Sequence, residues 1–138
     1  MLKKYILLSA LLPMMATAQT VKSPNGDVEL TFSLSDKGQP TYEMSYKGKP
    51  VVNPSHLGLE LAKDKHASKG IDETDLMDGF KIKDTQTSTF DETWRPVWGE
   101  TATIRNNYNE MAVNLHQPSS DRDITIRFRV YDYGMGLR

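Results

Sequence analysis

Cysteine is absent from the 138 residues. Disulfides and the lipid-modified cysteine of a bacterial lipoprotein are thereby excluded, so stability has to come from a packed core rather than from covalent staples. Histidine is scarce: His56, His66 and His116 are scattered with no metal-motif spacing among them. The chain contains no G-x-S-x-G nucleophile motif and no phosphate-binding loop, and Gly134-x-Gly136 is followed by no helix. It has no charge excess of one sign either, with 17 Lys+Arg against 18 Asp+Glu, interspersed along the sequence. The basic stripe that phosphate neutralisation demands is missing, which argues against a nucleic-acid partner.

Only one long apolar run exists, and it lies at the amino terminus. Lys3 and Lys4 precede the segment YILLSALLPMM at 5–15, and Ala16-Thr17-Ala18 follows it. A positive start, a short apolar stretch and small residues at a cleavage position make a secretory signal peptide, and the run is too short to span a bilayer. The expected mature chain begins near Gln19 and is periplasmic or secreted, not membrane-spanning. Without residues 1–18 the balance is 15 basic against 18 acidic side chains, a net charge of −3. A chain of this length is at most one domain, able to bury roughly two thirds of its unfolded surface.

From Val21 onward the apolar period is two. Val28, Leu30, Phe32 and Leu34 alternate with Glu29, Thr31 and Ser33, the pattern of a half-buried strand. Tyr42, Met44 and Tyr46 repeat it, and Lys47-Gly48 turns the chain toward Val51 and Val52 as a hairpin. Leu57, Leu59 and Leu61 predict a further strand, and 62–79 a long charged loop. Phe80 and Ile82 open a strand running to about Thr87, and Thr101–Arg105 another. Asn106–Glu110 reads as a polar turn leading to a partner strand at Met111, Val113 and Leu115. Ile124, Ile126, Phe128 and Val130 form the clearest alternation, with Arg127, Arg129 and Tyr131 on its other side. Some eight strands with no helical period predict an all-β antiparallel β-sandwich. A new alternation begins at Gly134 and stops at Arg138, so the expectation is a domain incomplete at its carboxyl end.

The stretch TFDETWRPVWGETATIRNNYNE at 89–110 holds both tryptophans and most of the candidate chemistry. Its acids are Asp91, Glu92, Glu100 and Glu110. A glycosidase needs two carboxyl groups at a set separation across the scissile bond, which sequence alone does not show. Acids beside tryptophans on a β-domain are more often surface groups, so no catalytic pair is expected within this chain. Trp94 and Trp98 can plug the sandwich as core, anchor a domain interface, or stack on a sugar ring.

Several segments carry a resemblance: SPNG at 23–26, LTFSL at 30–34, GQPTYEMSYKGKPVV at 38–52 and PSHLGLEL at 54–61. DGFKIKDTQTSTFDETWRPVWGE at 78–100, IRNNYNEMAVNL at 104–115 and DRDITIRFRVYDYGMGLR at 121–138 continue it. Together they resemble the amino-terminal region of glycoside hydrolase family 97, most closely its starch-utilisation α-glucosidase type, while 62–77 departs in length and composition. The resemblance implies a parent enzyme of three parts: an amino-terminal β-super-sandwich, a catalytic (β/α)8 barrel and a small carboxyl-terminal β-domain. It implies hydrolysis of α-linked glucosides or galactosides, export, and calcium near an active site whose catalytic residues and ligands lie outside this chain.

On that likeness 19–138 is the amino-terminal domain, without catalytic or metal-binding residues of its own. Its expected partners are the barrel and an α-linked oligosaccharide. Trp94, Trp98 and Glu100 are the first candidates for a pocket-facing or barrel-facing surface, and Arg105, Asn109 and Glu110 follow. A stand-alone secreted carbohydrate-binding or adhesion β-domain is the alternative, and a ligand-free scaffold a third reading if the tryptophans are fully buried.

Overall fold

The computed structural model of the chain describes residues 18–61 and 75–138. The expected signal peptide, save Ala18, and most of the expected loop, His66 included, lie outside the described residues. Eight strands follow in order: β1 Gln19–Lys22, β2 Val28–Leu34, β3 Pro40–Tyr46, β4 Lys49–His56, β5 Lys81–Trp94, β6 Ile104–Gln117, β7 Arg122–Tyr131 and β8 Gly134–Leu137. They form two four-stranded sheets, β1-β2-β3-β4 and β5-β6-β7-β8, each an antiparallel meander of sequence neighbours. The fold is the expected all-β sandwich.

Alternation determines the inner faces. Val28, Leu30 and Phe32 of β2 meet Met111, Val113 and Leu115 of β6 and Ile126, Phe128 and Val130 of β7, all buried. The Phe128 ring lies 5.8 Å from that of Phe32 and 6.2 Å from that of Tyr42, bridging the two sheets at their centre. Each fully buried side chain of this kind contributes about 1.5–3 kcal/mol. The β3–β4 hairpin forms where it was expected. Lys47 and Gly48 both take positive φ, 48° and 78°, as a tight two-residue turn between right-twisted strands requires.

Two expectations need correction. Leu57, Leu59 and Leu61 do not build a strand. β4 ends at His56, the Leu57 amide donates to the Pro40 carbonyl at 2.8 Å, and Leu59 makes only an isolated bridge with Leu76. Without a neighbouring strand to pair with, Leu57 and Leu59 turn to the open end of the sandwich. Leu57, Leu59 and Leu76 there line an apolar cleft of about 230 Å³ with Phe80, Ile126 and Leu137. Asn106–Glu110 is no turn either: it lies within β6, opposite Ser88–Glu92 of β5. Asn109 and Glu110 do not end the strand because the sandwich supplies their side chains with partners. The reversal comes at 95–103 instead, so that β5 runs well past Thr87, and the strand expected from Thr101 starts at Ile104.

Candidate functional site

The β5–β6 pair is a two-stranded arm whose far end extends beyond the core. Trp94 pairs with Ile104 as the last rung, and 95–103 closes the arm. Pro96 forces Arg95 toward extended backbone and removes a ladder donor, which stops strand pairing there. Gly99 takes φ of 122°, a conformation open essentially to glycine alone. The result is a loop that presents its side chains outward. Trp98 is 87% and Val97 90% exposed, and Trp94 is half exposed. The tryptophans therefore do not plug the sandwich. Glu100 is exposed beside them.

The six candidate residues fall into two groups. Trp94, Trp98 and Glu100 share the tip. Arg105, Asn109 and Glu110 lie along β6 and are each engaged within the domain. Arg105 holds Asp91 through two parallel bonds, Nε–Oδ1 at 2.9 Å and Nη2–Oδ2 at 2.8 Å. The hydrogen bonds to Arg105 draw the Asp91 carboxyl below its ordinary value. Both groups are solvated, so the pair fixes geometry more than it adds stability. Asn109 donates to the Lys22 carbonyl at 2.7 Å, tying β6 to the edge strand of the facing sheet. Glu110, on the outer face, accepts from Arg129 Nε at 2.8 Å and Arg127 Nη1 at 3.1 Å. Glu92, opposite Asn106, is exposed on that outer face.

The Arg129 hydrogen bond is the main reason the Glu110 carboxyl is held below its ordinary 4.5; burial opposes it and Arg127 assists. A depressed folded value means the pair stabilises fully above pH 4.5 and loses that contribution as pH falls through the lowered value. Glu110→Gln is expected to lose about 1–2 kcal/mol at pH 7, the worth of charged hydrogen bonds to half-exposed arginines. Thermal unfolding from neutral pH down to pH 3 should show the wild type and the variant converging at the acid end. Parallel curves would contradict the pairing.

One set of residues had no expectation attached to it. Phe90, Tyr108, Tyr131 and Tyr133 stand in a row on the outer face of the second sheet. Alternation placed only Tyr131 on an outer face; Phe90 and Tyr108 lay outside the expected strands, and the cross-strand register that aligns them was not visible. Among the described residues no group of three or more His, Cys, Asp or Glu converges as a metal site.

The comparisons with known proteins agree with this architecture. A family model described as Glycosyl-hydrolase 97 N-terminal matches residues 21–138. Two solved structures of a Glycoside Hydrolase Family 97 enzyme from Pseudoalteromonas sp. strain K8, one with panose and one with acarbose, superpose with a TM-score of 0.72. Each is 30% identical over 86% of this chain. A β-arabinopyranosidase shares the fold at 20% identity and a TM-score of 0.67 over 83% of this chain. The chain spans 17% of the length of the Pseudoalteromonas enzyme and 16% of the arabinopyranosidase. No helix among the described residues is long and apolar enough to cross a membrane. With the family model running from Val21 to the last residue over a two-sheet sandwich, this chain belongs to glycoside hydrolase family 97 and carries its N-terminal domain.

Proposed function

We propose that this domain completes the substrate pocket of an exported α-glycosidase, an α-glucosidase or α-galactosidase acting on starch-type or related oligosaccharides. In this reading the tip of the β5–β6 arm reaches the pocket of the catalytic barrel, and Trp98 meets the sugar with Glu100 and Trp94 beside it. The observation that carries it is the presentation of Trp98, 87% exposed at the end of a paired arm. An indole held out on a rigid stem loses little freedom when a ring stacks on it, which is what an aromatic anchor needs. The Asp91–Arg105 clamp stiffens the stem behind the loop.

The relatives crystallised with panose and acarbose support an oligosaccharide as the ligand class. Calcium, as the family likeness implies it, would be held by other parts of the parent enzyme, and no step here runs through it. Export rests on the pattern at residues 1–18 and is checked by fractionating cells that express the natural gene.

Trp98→Ala in the whole enzyme tests the reading. KM for a maltose-type substrate should rise about tenfold, the equivalent of one lost aromatic contact of roughly 1.4 kcal/mol. The melting temperature should not move, because Trp98 packs on nothing in this domain. Unchanged KM would remove Trp98 from the pocket, and the reading with it.

A further inference from the structure

Asn25 and Gly26 stand exposed in the turn between β1 and β2. Pro24 presets the backbone ahead of them, and Gly26 takes a φ of 80°, which residues with a Cβ rarely adopt. An asparagine followed by glycine is also the pair most open to loss of its side-chain amide. The backbone nitrogen of the following residue attacks the asparagine Cγ, and glycine has no Cβ to stand in the way. Nothing in the fold crowds Gly26: no atom beyond its chain neighbours comes within 4 Å of the place a Cβ would occupy. The other asparagines of the described residues lack this pairing. Asn53 precedes Pro54, whose nitrogen carries no hydrogen, and Asn106, Asn107, Asn109 and Asn114 precede Asn, Tyr, Glu and Leu.

In the closed turn both reacting groups are held. The Gly26 amide donates to the Ser23 carbonyl at 2.9 Å, so its hydrogen is committed. The Asn25 carboxamide is pinned on both sides. Its Oδ1 accepts from the Ser23 hydroxyl at 2.8 Å and from the Asp27 amide at 2.9 Å, and its Nδ2 donates to Asp27 Oδ2 at 3.3 Å. The Asn25 backbone amide donates to Asp132 Oδ1 at 2.9 Å. That bond ties this turn to the one joining β7 and β8 in the other sheet. For attack on Cγ the carboxamide has to swing free and the Gly26 nitrogen has to leave its acceptor. The turn must therefore open first, as a local fluctuation with the core intact.

We infer that Asn25 is a modification site, deamidated spontaneously at the rate at which this turn opens. Water is the one co-reactant. The Gly26 nitrogen bonds to Asn25 Cγ and gives up its proton; the Cγ–Nδ2 bond breaks, and Nδ2 leaves as ammonia with that proton. Water then opens the resulting succinimide. Opening at Cγ yields aspartate, and opening at the backbone carbonyl yields isoaspartate, whose main chain runs through the side chain and is one methylene longer. Either product sets a new carboxylate beside Asp27 and removes the donor that Asp27 Oδ2 had. Isoaspartate also displaces the amide that Asp132 holds. The turn no longer closes as before, so a transient opening becomes a lasting loss of the link between the sheets. This chemistry needs no substrate and stands apart from the pocket reading.

Peptide mapping of the whole enzyme after incubation at mildly alkaline pH tests this, with a synthetic peptide of residues 23–37 as reference. Trypsin cuts after Lys22 and Lys37, and Asn25 is the one asparagine between them. Mass reads the amide-to-acid change, and chromatographic elution separates aspartate from isoaspartate. The free peptide should convert fastest, the folded wild type several-fold more slowly, and Asn53 not at all. Asp132→Ala, which removes the acceptor, should convert several-fold faster than the wild type. Asp132→Asn, which keeps an oxygen acceptor, should stay near the wild-type rate. A melting curve for each variant confirms that the incubation temperature lies below global unfolding. Wild type converting at the peptide's rate overturns the control by the turn. An Asp132→Ala rate equal to the wild-type rate overturns the lock assigned to Asp132, and an unmodified Asn25 in both proteins overturns the site.

Discussion

Phe128→Ala is expected to destabilise this domain by about 3–5 kcal/mol, the range for removing a fully buried phenylalanine. Phe128 has no exposure and is central in two directions. Along its sheet it pairs with Met111 and Leu137, and across the sandwich its ring meets Phe32 and Tyr42. Truncation removes the contact that joins β2 and β3 to β7 and leaves a void between the two sheets beside Phe32 and Tyr42. With a domain stability of about 5–15 kcal/mol, the melting temperature should fall by about 15 °C. Phe128→Leu, which keeps most of the volume, should lose less than half as much. A loss below about 1 kcal/mol for the alanine variant would mean that the sheets are not stacked face to face.

Gln117→Ala is expected to cost about 2–3 kcal/mol, a large effect for one polar side chain. Gln117 is completely buried at the end of β6. Its amide nitrogen donates to the carbonyls of Asp75 at 2.9 Å and Asp78 at 2.8 Å, and its Oε1 accepts from the Ser120 hydroxyl. One side chain thus anchors the segment that leads into Phe80 and β5, and also the turn that leads into β7. Removing it leaves buried acceptors without donors, which costs more than the net worth of the bonds. Gln117→Glu sharpens the test at constant shape. Its carboxylate would face two carbonyl oxygens, so burial and repulsion raise its folded pKa above the unfolded value. Its stability should therefore improve as pH falls through that raised value, opposite to the Glu110 response. A pH-independent deficit in urea unfolding would contradict the assigned bonds.

How much of the candidate site was legible follows from what sequence encodes. Trp94, Trp98 and Glu100 could be picked out because the family likeness points to their segment, and Pro96 between the tryptophans with Gly99 after them marks a loop by local sterics. Asn106–Glu110 was misread for the complementary reason. Five polar residues in a row look like a turn when each is judged by its own preference. In the fold Tyr108 stacks on Phe90, Asn109 reaches Lys22 in the other sheet, and Glu110 finds two arginines. Those partners are between 17 and 87 residues distant in sequence, so no local window contains them. The leucines at 57, 59 and 61 failed in the opposite sense: alternation was present, but no strand was available to complete the ladder.

What the sequence by itself determined is the period of two, and with it the all-β class and the inner faces of β2, β6 and β7, because alternation dictates which side chains share a face. Its motif segments were enough to point to the family. Only the tertiary structure decided where each strand ends, which tryptophan is bare, and that four aromatic residues from three strands and a turn form one row. Register and sheet stacking are long-range choices, made by the best total burial and hydrogen bonding of the whole chain, and no single stretch carries them.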